Sequence, residues 1–319
     1  MLRRHSDLRS SFMKKLILTA ILFTGLLNLG VVNAQSSKAT TIDYHQAAKT
    51  KFVEANGTRY AYRVLGDKTG IPLVLLPGSF FNMDEWDPAI TNGLARQYKV
   101  VLFDNKGVGA TNGKTPDNIP DMAKDALAFI KAMGYTKVNL MGWSMGGMIT
   151  QQILFTEPQL VNKVILVASG AKGAQGLSEV GARAAEVSKL SPPEQLLHLL
   201  FAPSDNSQQA GKLALGRMFK RQVDRDPETT GETNIAQLTA VTAWAQPNAG
   251  ALDELKNIKT PTLIVAGRND ILIPVVNAFN LYQNLPNAQL SLYPDAGHAV
   301  IFQYSNQFLQ DAVPFLASK

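Results

Sequence analysis

The stretch "VNLMGWSMGGMIT" (residues 138–150) changes abruptly from an apolar run to a glycine-rich turn. Its centre, Gly142-Trp143-Ser144-Met145-Gly146, has the form G-x-S-x-G. The run before it predicts a buried strand, and "MGGMITQQILF" after the serine predicts a helix. In so tight a turn, side chains two positions either side of the serine would collide with the backbone. We therefore predict that Ser144 is a nucleophile held at the tip of the turn; an ordinary glycine-rich turn is the alternative.

The remainder of the chain alternates short apolar runs with helical patterns. Runs of Val, Ile and Leu that end at Gly, Asp or Ser are typical of strands buried on both faces of a parallel sheet. The pattern "IPDMAKDALAFIKAMG" (119–134) predicts an amphipathic helix that ends at Gly134. Repeated βα units predict a doubly wound, mostly parallel α/β sheet, with ligands beyond the carboxyl ends of its strands. The predicted strands cover residues 58–66 (antiparallel), 71–78, 99–104, 137–143, 163–169, 260–267 and 288–297.

One region interrupts this alternation. Residues 171–250 contain helical patterns, such as "PEQLLHLLF" and "NIAQLTAVTAWAQ", separated by polar turns, and the strand pattern resumes at Ile258. We therefore expect a helical cap inserted into one α/β core, which comprises residues 35–170 and 251–319. The cap is expected to lie over the carboxyl edge of the sheet. An independent domain is the alternative, and the return of the α/β pattern argues against it.

The first 34 residues have the pattern of a secretory signal peptide. Lys14 and Lys15 precede an apolar run (16–32), which closes on Val32-Asn33-Ala34, where a signal peptidase would cleave after Ala34. The run is shorter than the ~20 residues that a spanning helix needs. We therefore expect a periplasmic or secreted protein with no stable membrane insertion after cleavage; an uncleaved anchor is the alternative. Translation from Met1 and from Met13 both fit this pattern.

Composition excludes several classes of protein. The formal net charge is +6, and the leader carries +4 of it, so the mature chain is near +2. Charge therefore predicts no nucleic-acid partner. The absence of cysteine excludes a disulfide framework, a thiolate nucleophile and a cysteine-ligated metal site. No motif predicts a metal or a cofactor, and no oligomeric state follows from the sequence.

A serine nucleophile needs a base to take its proton, and the base needs an acid to fix its tautomer. His298, in "YPDAGHAV", follows the last predicted strand, and Asp270, in "GRNDILIP", follows the strand 260–267. Both positions lie at the carboxyl edge, as Ser144 does. We therefore predict a catalytic triad of Ser144, Asp270 and His298.

Other residues compete poorly for these two roles. His45 precedes the sheet, and His198 lies inside a helical run in the cap. Asp295 is the rival acid, but it is three residues from His298 in the same turn, where a structural role is expected.

The oxyanion of an acyl-transfer intermediate needs two N–H donors. One is the backbone N–H of Met145, directly after the nucleophile. The other is expected in "PGSFFNMDEW", where Ser79 is the first choice and Phe80 the alternative. Phe80, Trp143 and, from the cap, Trp244 are predicted to line an apolar substrate pocket.

These motifs resemble those of the α/β-hydrolase fold family, and the resemblance extends from about residue 50 to the C-terminus. "GWSMGG" and "DAGH" are similar to the nucleophile and histidine turns of a capped branch that includes small esterases, haloperoxidase-like enzymes and lactone hydrolases. "LFDNKGVGATNG" resembles its Asp-x-Arg-Gly loop. Two positions depart from the pattern: Pro77-Gly78 stands where many members have His-Gly, and Lys106 stands where arginine is usual.

The resemblance implies a serine hydrolase that acts on a small-molecule ester or lactone without a cofactor. A proline-iminopeptidase-like enzyme is a second hypothesis, for which the cap offers Glu179, Glu186 and Glu194 as partners for a substrate amine. A non-catalytic binding protein on the same fold is the third, and an intact triad argues against it.

Overall fold

The computed structural model describes residues 42–318, so the predicted leader (1–34) lies outside the described residues. Within residues 42–318, eight strands form one sheet in the order β1-β2-β4-β3-β5-β6-β7-β8. Strands β1 and β2 pair antiparallel to their neighbours, and the other strands run parallel to one another. The predicted fold class is therefore confirmed. The strands are β1 (Lys51–Ala55), β2 (Thr58–Leu65), β3 (Leu73–Leu76), β4 (Val100–Phe103), β5 (Val138–Trp143), β6 (Val161–Val167), β7 (Thr262–Gly267) and β8 (Ala288–Tyr293).

The central strands are buried on both faces, as their continuous apolar runs predict. Along β3, Val74 and Leu76 belong to one apolar cluster, and Leu73 and Leu75 belong to another on the opposite face. Each of the seven predicted strands is present, with ends shifted by a few residues. Strand β1 was not predicted, because its residues "KFVEA" are mostly exposed, carry a charge near each end and lack the apolar run of a buried strand.

Helices cover both faces of the sheet. Helices α3, α4 and α10 contribute to the first cluster, and α2, α11 and α12 contribute to the second. The predicted helix at 119–134 is α3, which begins after Asn118, whose side chain accepts the N–H of Asp121. The core helices are α1 (Tyr44–Ala47), α2 (Pro88–Ala95), α3 (Ile119–Ala132), α4 (Met145–Thr156), α9 (Ala251–Leu255), α10 (Val276–Asn284), α11 (Val300–Gln303) and α12 (Ser305–Ala317), with 3₁₀ turns at Met83–Glu85 and Pro158–Leu160.

The chain between β6 and β7 is helical. It contains a 3₁₀ turn (Leu177–Glu179) and the helices α5 (Val180–Glu186), α6 (Pro192–Leu200), α7 (Asp205–Met218) and α8 (Gly231–Trp244). Residues of this cap line one cavity together with residues that directly follow β3, β5 and β8. The cap thus covers the carboxyl edge of the sheet. Among the described residues, no helix combines the length and apolar character that crossing a bilayer requires.

Candidate active site

Ser144 lies in the turn between β5 and α4 with φ +55° and ψ −119°, a backbone conformation that residues other than glycine rarely adopt. Its N–H donates to the carbonyl oxygen of Val167 at 2.9 Å, which anchors the turn to the end of β6. A Cβ on Gly142 would collide with the backbone of Gly146, and a Cβ on Gly146 would collide with the carbonyl of Leu76. Both glycines are therefore required by close backbone approach, as the motif predicts.

His298 and Asp270 form a buried pair. Nδ1 of His298 lies 2.7 Å from Oδ2 of Asp270, and the two residues are 3% and 5% exposed. The other oxygen of Asp270, Oδ1, accepts the backbone N–H groups of Leu272 and Ile273 at 2.8 and 2.9 Å. These bonds fix the carboxylate so that Oδ2 faces the imidazole. A carboxylate can only accept, so the proton of neutral His298 lies on Nδ1 and Nε2 keeps its lone pair.

The structure brings His298 to the same cavity as Ser144, since both line it. Trp143 contributes to this placement. Its indole N–H donates to the carbonyl oxygen of His298 at 3.1 Å, and its ring packs 5.7 Å from the imidazole, centroid to centroid. The residue before the serine therefore also holds the loop that carries the histidine. Sequence reasoning predicted Trp143 only as a pocket wall.

The competing residues lie elsewhere. His45 is buried on α1, with Nδ1 2.9 Å from the Thr91 hydroxyl, and burial lowers its pKa to about 4. His198 is exposed on α6. Asp295 accepts a hydrogen bond from the hydroxyl of Ser204, in the cap, at 2.6 Å. Of these candidate acids and bases, only Asp270 and His298 pair with each other.

The loop after β3 runs directly against the serine, because a Cβ on Gly78 would lie 3.3 Å from Cβ of Ser144. Ser79 and Phe80 both line the cavity. The N–H of Phe80 donates to Oε1 of Gln237 at 2.6 Å, so it is not available to a substrate. Within residues 42–318, the Ser79 N–H forms no hydrogen bond. The geometry thus favours Ser79 over Phe80 as the donor.

The donor predicted at Met145 is supported by its position. Met145 is the first residue of α4, and the first N–H groups of a helix have no acceptor inside it. The helix also directs the positive end of its dipole toward the residue that precedes it, which is Ser144. A developing anion beside Ser144 is therefore favoured by both effects.

The cavity has a volume of about 560 Å³. Phe80 and Trp143 line it. Trp244 does not line it, so that prediction is wrong: the Trp244 indole N–H, at the end of α8, donates to the carbonyl oxygen of Gly170 at 3.2 Å. Most of the remaining wall is apolar, and much of it belongs to the cap: Leu177, Val180, Ala184, Leu196, Leu199, Met218, Phe219 and Val241.

The three cap glutamates offered for the peptidase hypothesis do not line this cavity. Glu179 pairs with Arg183 at 3.1 Å on the surface. Glu194 caps the start of α6 by accepting the N–H of Ser191 at 3.0 Å. Glu186 is exposed at the end of α5. Residues 42–318 also contain no cluster of three or more His, Asp or Glu side chains placed to hold a metal ion.

A model of the alpha/beta hydrolase fold family matches residues 71–303. The chain belongs to the α/β-hydrolase fold family. A solved alpha/beta hydrolase fold protein from Chitinophaga pinensis is 38% identical, with a TM-score of 0.84 and coverage of 86% of this chain and 99% of that one. Est816, solved as an N-acyl homoserine lactone degrading enzyme, is 26% identical with a TM-score of 0.65, covering 83% and 100% of the two chains.

One sequence relative of this α/β-hydrolase is a 2-hydroxy-6-oxo-6-phenylhexa-2,4-dienoate hydrolase from Burkholderia cepacia. It is 28% identical over 237 residues, which are 70% of this chain and 79% of that protein. The relatives thus place the chain in a family of hydrolases that act on small molecules.

Sequence reasoning missed the polar end of the cavity of this α/β-hydrolase. Glu85, Arg225, Asp226 and Glu228 line that end. Burial raises the pKa of Glu85 to about 7. Burial also raises the pKa of Asp226 to about 7, although the nearby Arg63 guanidinium, 3.0 Å away, opposes the shift. These residues come from the 3₁₀ turn after β3 and from the α7–α8 connection, two irregular segments with no motif that marks them.

Proposed function

We propose that this α/β-hydrolase is an exported serine hydrolase that cleaves small to medium carboxylic esters or lactones. The observation that carries the proposal is the 2.7 Å contact between His298 and Asp270 at the wall of the cavity that Ser144 also lines. A serine at the tip of a strained turn, a base with a fixed tautomer and a helix N-terminus beside them form the arrangement that acyl transfer needs.

Ser144 Oγ attacks the substrate carbonyl carbon while Nε2 of His298 takes the hydroxyl proton. The carbonyl π electrons move onto oxygen, and the N–H groups of Met145 and Ser79 stabilise the oxyanion. Collapse of the intermediate expels the alcohol, which takes the proton from His298. A water molecule then attacks the acyl-enzyme with His298 as base, which releases the acid and restores Ser144. Asp270 stabilises the charged imidazole in both halves.

The size of the substrate follows from the cap. The cavity has a volume of about 560 Å³, within the range of small-molecule pockets. Apolar side chains line most of it, so we expect acyl groups of up to about eight carbons. A lactone is included because the relative Est816 is described as a lactone-degrading enzyme and is 26% identical to this chain.

A panel of p-nitrophenyl esters of graded chain length, lactones and aminoacyl anilides tests this proposal. We expect kcat/KM to be greatest for short and medium acyl chains and to fall steeply for long-chain lipids. A preference for long-chain lipids or for an insoluble polyester would refute the small-pocket proposal. Cleavage of aminoacyl anilides with only incidental ester hydrolysis would favour the peptidase hypothesis.

The proposed export rests on the leader sequence. The mature protein is expected to begin at Gln35 and to be recovered from the periplasm or the medium. N-terminal sequencing of the exported protein tests this expectation, and a chain that still begins at Met1 or Met13 would contradict it.

A further inference from the structure

The loop after β3 (residues 77–82, here called the oxyanion loop) is held in an unfavourable backbone conformation. Phe80 has φ +72°, a value that costs free energy in any residue other than glycine and persists only where neighbouring groups impose it. Pro77, at the start of the loop, has no N–H and no polar side-chain atom with which it could brace the loop. The groups that fix the oxyanion loop must therefore come from elsewhere.

Those groups come from the cap. The Phe80 N–H donates to Oε1 of Gln237 at 2.6 Å, and the Phe80 carbonyl oxygen accepts from the Thr229 hydroxyl at 3.3 Å. Nearby, the Asn82 side-chain amide donates to the carbonyl oxygen of Pro227 at 3.2 Å. All three partners lie within residues 227–237, which form the start of α8 and the chain leading into it. Both peptide groups that flank the Phe80 Cα are thus attached to the cap.

Gln237 has no evident packing reason to be a glutamine. Its side chain is fully buried, and its Nε2 has no hydrogen-bond partner within residues 42–318. A buried amide N–H₂ without a partner destabilises the fold, and an apolar side chain of similar length would avoid that cost. Only the oxygen of the amide can accept the Phe80 N–H, so the observed orientation is the one that serves the loop.

We propose that Gln237 is a positioning residue that holds Phe80 in its positive-φ conformation and so keeps the neighbouring Ser79 N–H directed at the oxyanion. It follows that the oxyanion site is complete only while α8 is docked on the oxyanion loop. Movement of the cap away from the loop releases Phe80 and removes the Ser79 donor. This inference rests on the proposed function, because it needs Ser144 to form a tetrahedral intermediate.

The test compares Gln237→Met with Gln246→Met in the full chain. Gln246 lies just beyond α8 and is exposed, and its side chain donates only to the Thr242 carbonyl oxygen in α8. Kinetics are measured with a short p-nitrophenyl ester. An alkylboronic acid is the second probe, because it forms a tetrahedral adduct with a serine hydroxyl and so reports on the oxyanion site.

Removing an oxyanion donor outright costs about 10²–10³ in kcat, so a misdirected donor in Gln237→Met is expected to cost about tenfold or more. KM is expected to change by less than about threefold, and the boronate inhibition constant to rise in proportion to the fall in kcat/KM. Gln246→Met is expected to match the wild type. Gln237→Glu keeps an acceptor oxygen and is expected to recover most of the lost kcat, which a purely structural role would not predict.

Wild-type kcat and boronate affinity in Gln237→Met would overturn the inference, as would a loss confined to KM. If Gln237→Met does not fold, Thr229→Val carries the test, because it removes the other cap contact to Phe80 from a partly exposed position. It is expected to lower kcat and boronate affinity together, and unchanged values would overturn the inference. A wild-type protein that neither hydrolyses esters nor binds the boronate would refute the proposed function itself.

Discussion

The substitution Asp270→Asn separates the charge of the predicted acid from its shape. Oδ1 of Asp270 accepts two backbone N–H groups, from Leu272 and Ile273. An asparagine must keep its oxygen at that position, because its amide nitrogen cannot accept those bonds. The nitrogen is then placed against Nδ1 of His298 and donates to it. The imidazole proton is forced onto Nε2, so His298 loses the lone pair that takes the serine proton.

The size of the effect follows from this change of tautomer. An equivalent substitution in a serine protease triad lowers kcat by about 10⁴, which corresponds to about 5.5 kcal/mol in the activation free energy. Folding should be affected far less, because all three hydrogen bonds of the side chain remain. Each changes from a charge-assisted bond to a neutral one, at a cost of about 1 kcal/mol, and the smaller desolvation penalty of a neutral amide offsets part of that cost. We therefore expect a folded protein with kcat/KM reduced by about 10³–10⁴.

The assay is kcat/KM on a short p-nitrophenyl ester, with unfolding in urea as the measure of stability. Asp295→Asn is the matched control, because Asp295 is a nearby aspartate whose carboxylate accepts from Ser204 and not from His298. The control is expected to stay within about tenfold of the wild type. A folded Asp270→Asn that is active, together with a folded Asp295→Asn that is not, would show the assignment of the acid to be wrong.

Three further outcomes are expected. Ser144→Ala should lower turnover by about 10³ or more while the urea midpoint stays near that of the wild type, and comparable turnover in the variant would exclude Ser144 as the nucleophile. Gly146→Ala should destabilise the fold, because its Cβ would collide with the carbonyl of Leu76 in β3; unfolding in urea measures the loss, and an unchanged midpoint contradicts the account of the turn. The third outcome concerns pH. Burial raises the pKa of Glu85 from 4.5 to about 7, so the folded state binds this proton more tightly than the unfolded state does. The free energy of unfolding therefore falls as the pH rises from about 4.5 to 7. Glu85→Gln keeps an oxygen for the Asn82 N–H. Its free energy of unfolding should therefore exceed that of the wild type by about 3 kcal/mol at pH 8 and nearly equal it at pH 4.5; equal stability of the two proteins at both pH values would contradict this.

Each part of the molecule that was predicted correctly corresponds to a pattern within a short stretch of sequence. The apolar runs of the central strands reflect burial on both faces, and the glycines around Ser144 reflect a turn that leaves no room for a Cβ. Asp270 and His298 could be chosen because parallel strands bring their carboxyl ends to a common edge.

The parts that sequence reasoning missed depend on contacts between distant segments. Gln237 and Phe80 are 157 positions apart, and nothing near either residue indicates the hydrogen bond between them. Trp244 was predicted to line the pocket, but its indole N–H donates to the carbonyl oxygen of Gly170, 74 positions away in the sequence. Strand β1 was missed because its exposed residues lack the apolar signal, and its pairing with β2 defines it instead.

The most direct test of the central claim, that Ser144 carries the acyl group, is mass spectrometry of the enzyme quenched during turnover of p-nitrophenyl acetate. A single added acetyl group is expected, located on Ser144 by peptide mapping. The acetyl group should be absent from Ser144→Ala and should form far more slowly in His298→Ala. Turnover with no acyl-enzyme, or an acetyl group on another residue that is required for turnover, would contradict the claim that Ser144 carries the acyl group.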